Sequence, residues 1–214
     1  MLPARCVSCG VAAVLLCDTC RDSLPLLSGP RCARCGGPTA WPVERCLDCA
    51  GRRLSFASAQ AVAAYRGPAR DLVRGWKEHG LRRAALLVTD LIVARLPPPV
   101  ADAVTWVPSD RVRLLERGYH PAHGLARELA RRWELPSIEL LGRVGSSPRQ
   151  TGLGQSARRR NVKGAFEPRA AAPERVLLVD DVYTTGSTVS AAAAALRRGG
   201  ASSVDVVTFA RTVR

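Results

Sequence analysis

From Leu54 onward, apolar and polar positions switch between two periods. Ser58–Tyr65 (SAQAVAAY) predicts a strand. Pro68 at a helix start, followed by Leu72, Val73 and Trp76, predicts a helix to about His79. Arg83–Leu96 predicts a second helix, stopped by Pro97, Pro98 and Pro99. Ala103–Val107 predicts a short buried strand ended by Pro108, and His120–Trp133 carries Leu125, Leu129 and Trp133 along one helical face. Val176–Val179 is an all-apolar strand, Ser187–Arg198 an Ala-rich helix closed by Gly199 and Gly200, and Ser203–Phe209 a last strand. Strands alternating with helices predict an α/β fold on a parallel open sheet. Residues 1–53 follow neither period. That break sets the expected boundary between a small N-terminal module (1–53) and the α/β domain (54–214).

The N-terminal module is organised by cysteine. All eight cysteines of the 214-residue chain form four CxxC pairs, Cys6/Cys9, Cys17/Cys20, Cys32/Cys35 and Cys46/Cys49, with spacers of 7, 11 and 10 residues. One CxxC turn points two thiolates at a tetrahedral ion, and two such turns close a four-thiolate structural site. Four pairs therefore suit two structural Zn2+ ions. Disulfides fit a secreted chain, and a redox CxxC usually occurs once, beside a βαβ unit. Sequential pairing needs only short loops, whereas interleaved pairing would give a cross-braced module; the spacing favours the sequential order weakly. With few large apolar side chains, such a segment is expected to bury little core of its own and to fold on its metal.

No apolar run approaches the ~18–20 residues that span a bilayer, and Val11–Leu16 lacks a signal-peptide pattern. A soluble, cytoplasmic protein without membrane insertion is expected. The formal charge of +14 first suggests a nucleic-acid binder. Yet 30 of the 32 basic residues are Arg, with Lys only at 77 and 163, a skew that a GC-rich coding bias would also produce. Residues 1–53 become nearly neutral once eight thiolates hold two Zn2+. The excess therefore belongs to the α/β domain. It concentrates in segment 143–163, where Arg143, Arg149, Arg158, Arg159, Arg160 and Lys163 meet no acid.

The segment Val176–Val189 reads VLLVDDVYTTGSTV. An apolar strand runs out into Asp180–Asp181, then a Thr/Gly/Ser turn, then a helix. Ligands of open α/β sheets bind at the carboxyl ends of strands. Thr184, Thr185, Gly186, Ser187 and Thr188 offer hydroxyls and amides at a helix N-terminus, an anion site for a phosphate. Two adjacent carboxylates suit the vicinal hydroxyls of a neighbouring polyol. A phosphate beside a diol describes a ribose 5-phosphate. A plain Asp-rich helix cap or a metal-binding Asp pair needs less than this whole string.

The string resembles the phosphoribosyl pyrophosphate (PRPP) signature of type I phosphoribosyltransferases. With the CxxC module, Tyr65-Arg66-Gly67 and Lys77, VPSDRVRLLERGYHPAHGLA, and RQTGLGQSARRRNVKGAF, the chain resembles the ComF/GntX family along its whole length. One departure is His120-Pro121, where the family usually has Asn-Gln. The resemblance implies a phosphoribosyltransferase-type sheet with an N-terminal double zinc ribbon-like module. It implies displacement of pyrophosphate from PRPP by a nitrogen acceptor, with Mg2+ accompanying PRPP, and with Asp180, Asp181 and Arg117 as catalytic residues. Ser109, Asp110 and Arg111 correspond to the pyrophosphate loop. Segment 143–163, with Arg149, Arg158 and Lys163, reads as a basic flap, a solvated loop or a nucleic-acid strip. Three functions remain open: an active transferase with an unidentified acceptor, an idle PRPP or nucleotide binder, and a DNA-uptake factor binding single-stranded DNA. A homodimer is common among such proteins.

Overall fold

The computed structural model describes residues 5–12, 14–78, 80–144 and 164–213. In chain order its elements are α1 (Asp18–Asp22), β1 (Ser58–Ala64), α2 (Gly67–Glu78), α3 (Ala84–Val93), β2 (Ala103–Trp106), α4 (Arg111–Arg117), α5 (Pro121–Arg132), β3 (Leu141–Arg143), β4 (Phe166–Pro168), β5 (Arg175–Tyr183), α6 (Ser187–Arg198) and β6 (Ser203–Arg211). The strands predicted from the sequence form one parallel sheet in the order β1-β6-β5-β2. Among the described residues no helix is long and apolar enough to cross a membrane.

The two-residue period of the central strands divides the core. Leu177 and Val179 of β5 join the cluster under α2, α3 and α5, which includes Trp76, Ile92, Leu125 and Leu129. Val176 and Leu178 face the opposite cluster, with Leu196 of α6, Leu140 and Phe166. A strand buried on both faces reads as a continuous apolar run, which is why β5 was legible.

Three features differ from the sequence expectations. β5 is longer than Val176–Val179, because β6 pairs with it as far as Tyr183↔Arg211, so Asp180 and Asp181 lie within the strand. The loop after β2 is short, and Arg111–Arg117 form a helix. Asp110 caps α4 by accepting a hydrogen bond from the Val112 amide (3.0 Å), and Gly118 in the left-handed region (φ 65°) ends it. A short antiparallel ladder, β3–β4, flanks segment 145–163. Its strands have three residues each, too short to show a period.

The apolar residues of the N-terminal module join the two core faces of the α/β domain. Leu16 and Leu24 are buried in the α2/α3/α5 cluster, and Cys32, Cys35 and Cys49 in the α6 cluster. The stretch between the second and third CxxC pairs also runs along the edge of β1. There the Leu27 amide donates to the Val62 carbonyl and the Ala64 amide to the Pro25 carbonyl, both at 2.8 Å. That contact covers an exposed sheet edge.

Candidate active site

Because all four strands of the main sheet are parallel, their carboxyl ends open on one side. A cavity of about 340 Å³ lies there. Tyr65 follows β1, Val107 and Ser109 follow β2, and Asp180, Asp181 and Thr184 come from the end of β5. Thr188 enters from α6, Arg117 from the last turn of α4, and Lys77 from the last turn of α2.

The paired acids occupy distinct surroundings. Strand alternation turns Asp181 toward the side of Leu177 and Val179, where α2 lies. There the Lys77 ammonium meets its Oδ1 at 2.6 Å. Asp180 accepts a hydrogen bond from the Asp181 amide at 2.9 Å. Its pKa is raised to about 8, first by burial and then by the neighbouring Asp181 charge, with Lys77 opposing. The pair thus divides into one carboxylate paired with an ammonium and one whose pKa is raised.

The turn after β5 is shaped by Gly186, the N-cap of α6, at φ 73°. A Cβ at this position would stand 2.2 Å from the Tyr183 hydroxyl. Both backbone and space therefore require glycine. Gly186→Ala should destabilise the protein by roughly 2–4 kcal/mol, combining left-handed backbone strain with overpacking. Urea denaturation of the zinc-loaded protein measures this. Thr185 and Ser187 hydroxyls lie 2.9 Å apart and bond to each other, leaving Thr184 and Thr188 on the cavity.

The eight thiols form two groups in sequential order, Cys6/Cys9/Cys17/Cys20 and Cys32/Cys35/Cys46/Cys49, each with its sulfurs within 4.8 Å of one another. Sulfur separations of 3.6 Å (Cys9–Cys17), 3.6 Å (Cys35–Cys46) and 4.0 Å (Cys32–Cys49) are far too long for disulfides. They bracket the ~3.8 Å that a tetrahedral ion with ~2.3 Å Zn–S bonds imposes. The Cys46 amide also donates to the Cys32 sulfur at 3.2 Å, a bond that favours thiolate. Both groups fit zinc.

The double zinc ribbon domain family matches residues 1–50, and the phosphoribosyl transferase domain family matches residues 114–213. The chain is 30% identical to the DNA utilization protein YhgH of Salmonella typhi over 99% of each chain. The chain belongs to the ComF family. Two further relatives are similar along most of their length. Competence protein F of Haemophilus influenzae is 29% identical over 97% of this chain and 96% of its own. Competence protein ComFC of Bacillus subtilis is 27% identical over 92% and 84%.

Within this ComF-family chain, the cavity brings together Asp180, Asp181, Thr184, Thr188, Ser109, Asp110 and Arg117. Arg111 is not on the cavity wall but on the first turn of α4, exposed. Arg149, Arg158 and Lys163, with the rest of 145–163, lie outside the described residues. Arg143 lies inside them, lining the cavity 3.9 Å from Asp110 and over the Phe166 ring at 5.3 Å. At the departure from the family pattern, Pro121 sits at the first position of α5. His120 accepts the Ser109 amide hydrogen bond at 2.6 Å through Nε2. Burial and then His123 lower its pKa to about 4, so it is a neutral acceptor that ties the Ser109 backbone to α5. This is a packing role.

Sequence reasoning assigned no role to Lys77, although a signal existed. In a chain that uses Arg at 30 of 32 basic positions, a lysine is a compositional exception. Its ammonium is a compact point charge, and it stands beside the buried Asp181 carboxylate.

Proposed function

We propose that this ComF-family protein binds PRPP in the cavity at the end of β5 and transfers its ribose 5-phosphate to a nitrogen acceptor. In that reaction the acceptor nitrogen forms a bond to C1 and loses a proton to solvent. The bond from C1 to the pyrophosphate oxygen breaks with its electron pair, and pyrophosphate leaves. The reading rests on one juxtaposition. Thr184 and Thr188, at the two ends of the turn that Gly186 shapes, border the same cavity as the Asp180–Asp181 pair, as a 5-phosphate and a diol on one sugar require. Asp180 and Asp181 accept from the ribose hydroxyls, and Thr184–Thr188 hold the 5-phosphate. Ser109, Arg117 and Arg143 face the departing pyrophosphate, where preorganised cations act most strongly on developing charge. Arg149, Arg158 and Lys163 are assigned to the same charge. Mg2+ suits the hard carboxylate oxygens of the acid pair and supplies charge neutralisation for the pyrophosphate when bound.

The names of the relatives support a second reading, an accessory factor in DNA uptake that binds PRPP or a nucleotide without turnover. Single-stranded DNA would then contact the basic segment 143–163. A homodimer in the cytoplasm is compatible with either reading.

Calorimetry with PRPP and Mg2+, followed by pyrophosphate release across nucleobases and amines, separates them. Tight binding with release supports transfer, and binding without release across the panel supports the accessory role. No PRPP binding from pH 6 to 9 overturns both. The pH dependence is a further check. Asp180 must be ionised to accept from two hydroxyls, so PRPP affinity should rise through pH 8, by up to about tenfold per unit. Ligand-free stability should run the other way. A carboxyl whose folded pKa is raised favours folding while protonated, and that contribution is lost as pH climbs from about 4 through about 8.

A further inference from the structure

The turn assigned to the 5-phosphate is held by Arg52 directly and by Arg211 through Tyr183, and both arginines also touch the segment of the second cysteine group. On one side, Arg52 donates to the Thr185 carbonyl at 2.7 Å and to the Asp48 carbonyl at 3.3 Å, next to Cys49. On the other, Arg211 at the end of β6 is only 4% exposed. Its guanidinium donates to the Cys35 carbonyl and lies over the Tyr183 ring at 5.0 Å. Tyr183 is itself buried, edge-on to Phe56, with its hydroxyl pressed against Gly186. The contacts therefore run without a gap from Cys35 through Arg211 and Tyr183 to Gly186.

The charge of Arg211 needs a partner. It forms no ion pair with a carboxylate among the described residues, and its Nε is buried without a hydrogen bond. A buried cation without a counter-charge costs several kcal/mol. Four thiolates around one Zn2+ carry a net charge of −2, and Cys35, whose carbonyl accepts from Arg211, belongs to the cysteine group that would carry it.

We infer that Arg211 and Arg52 are positioning residues that make the shape of turn 184–188 depend on the metal in the second cysteine group, whose thiolates balance the buried charge of Arg211. The inference rests on reading that turn as the 5-phosphate site. The first cysteine group lies on the opposite face of the sheet, with Ser8 donating to Asp71 of α2 at 2.9 Å, and serves as the control.

The experiment uses the full chain and reads two quantities, amide hydrogen exchange of residues 184–188 and ribose 5-phosphate affinity by calorimetry. Cys46→Ser should lose one zinc and speed exchange of the turn by about tenfold or more, while Cys9→Ser, also losing one zinc, should leave it within about twofold. Should either serine variant unfold globally, Arg52→Ala decides the matter. It should keep two zinc ions and the wild-type melting temperature within a few degrees, yet weaken ribose 5-phosphate by about tenfold, the equivalent of one hydrogen bond to the turn. Arg52→Lys should restore part of that loss. Equal turn exchange in Cys46→Ser and Cys9→Ser, or unchanged exchange and affinity in Arg52→Ala, overturns the inference. If turn exchange follows the second metal but wild-type protein binds no ribose 5-phosphate, the coupling stands and the phosphate assignment falls.

Discussion

Asp181→Asn should lower kcat/KM for Mg2+-dependent pyrophosphate release from PRPP by on the order of 10²–10³, with PRPP affinity weakened at least tenfold. Asp181 is 8% exposed and meets Lys77 at 2.6 Å, so its negative charge is fixed in place at the cavity wall. Asparagine keeps the volume and one acceptor oxygen but removes the charge. Two consequences follow from that single loss. The ribose hydroxyls and Mg2+ face a weaker acceptor, and the Lys77 charge is left beside the site without its partner. Repulsion on Asp180 also falls, so its pKa should drop toward the ordinary carboxylate range, and the rise in PRPP affinity with pH should shift to lower pH. The fold should survive, because the Lys77 side chain is 27% exposed and can turn to solvent. A melting temperature within a few degrees of wild type, measured beside the kinetics, separates lost chemistry from lost structure. Unchanged turnover and unchanged PRPP affinity would remove Asp181 from the site.

The second large effect concerns zinc. Stripping both cysteine groups with a chelator should unfold the whole chain rather than its first fifty residues. Structural zinc contributes apparent free energies of about 10–16 kcal/mol in zinc-finger peptides, as large as the entire ~5–15 kcal/mol stability of a typical domain. A metal-held appendage could lose that energy privately. Here Leu16 and Leu24 are shared with Trp76 and Val73, and the cysteines of the second group are shared with Leu140 and Phe166. Loss of the metal therefore opens both faces of the sheet and uncovers the edge of β1. Circular dichroism during chelation should show loss of helix as well as of the N-terminal module, in one transition. Persistence of the α/β signal with a separate, unaltered melt would show that the two parts fold independently.

Much of this architecture was legible because its signals are local. β5 and β6 are buried on both faces, and a continuous apolar run bounded by polar turns admits few other readings. The helices carry amphipathic spacing with Pro or Gly at their ends. The four CxxC pairs announce a metal by spacing alone. The string from Asp180 to Thr188 places carboxylates, hydroxyls and glycine at a strand–turn–helix junction. What stayed hidden was short or non-local. α4 has seven residues and depends on the Asp110 cap, and exposed Val112 and Leu115 give it no apolar face to read. Lys77 lies about a hundred residues from Asp181 and meets it only because the last turn of α2 lies beside the end of β5.

The amino-acid sequence alone thus determines the fold class, the double cysteine module and the position of the acid pair, because periodicity, thiol spacing and turn chemistry each act within a few residues. Only the tertiary structure decided that the acids differ, since that difference comes from burial and from an ammonium on another helix. It alone also decided that the cysteine groups are built into the two core faces, because apolar burial is non-directional and takes whatever surface the chain topology brings alongside.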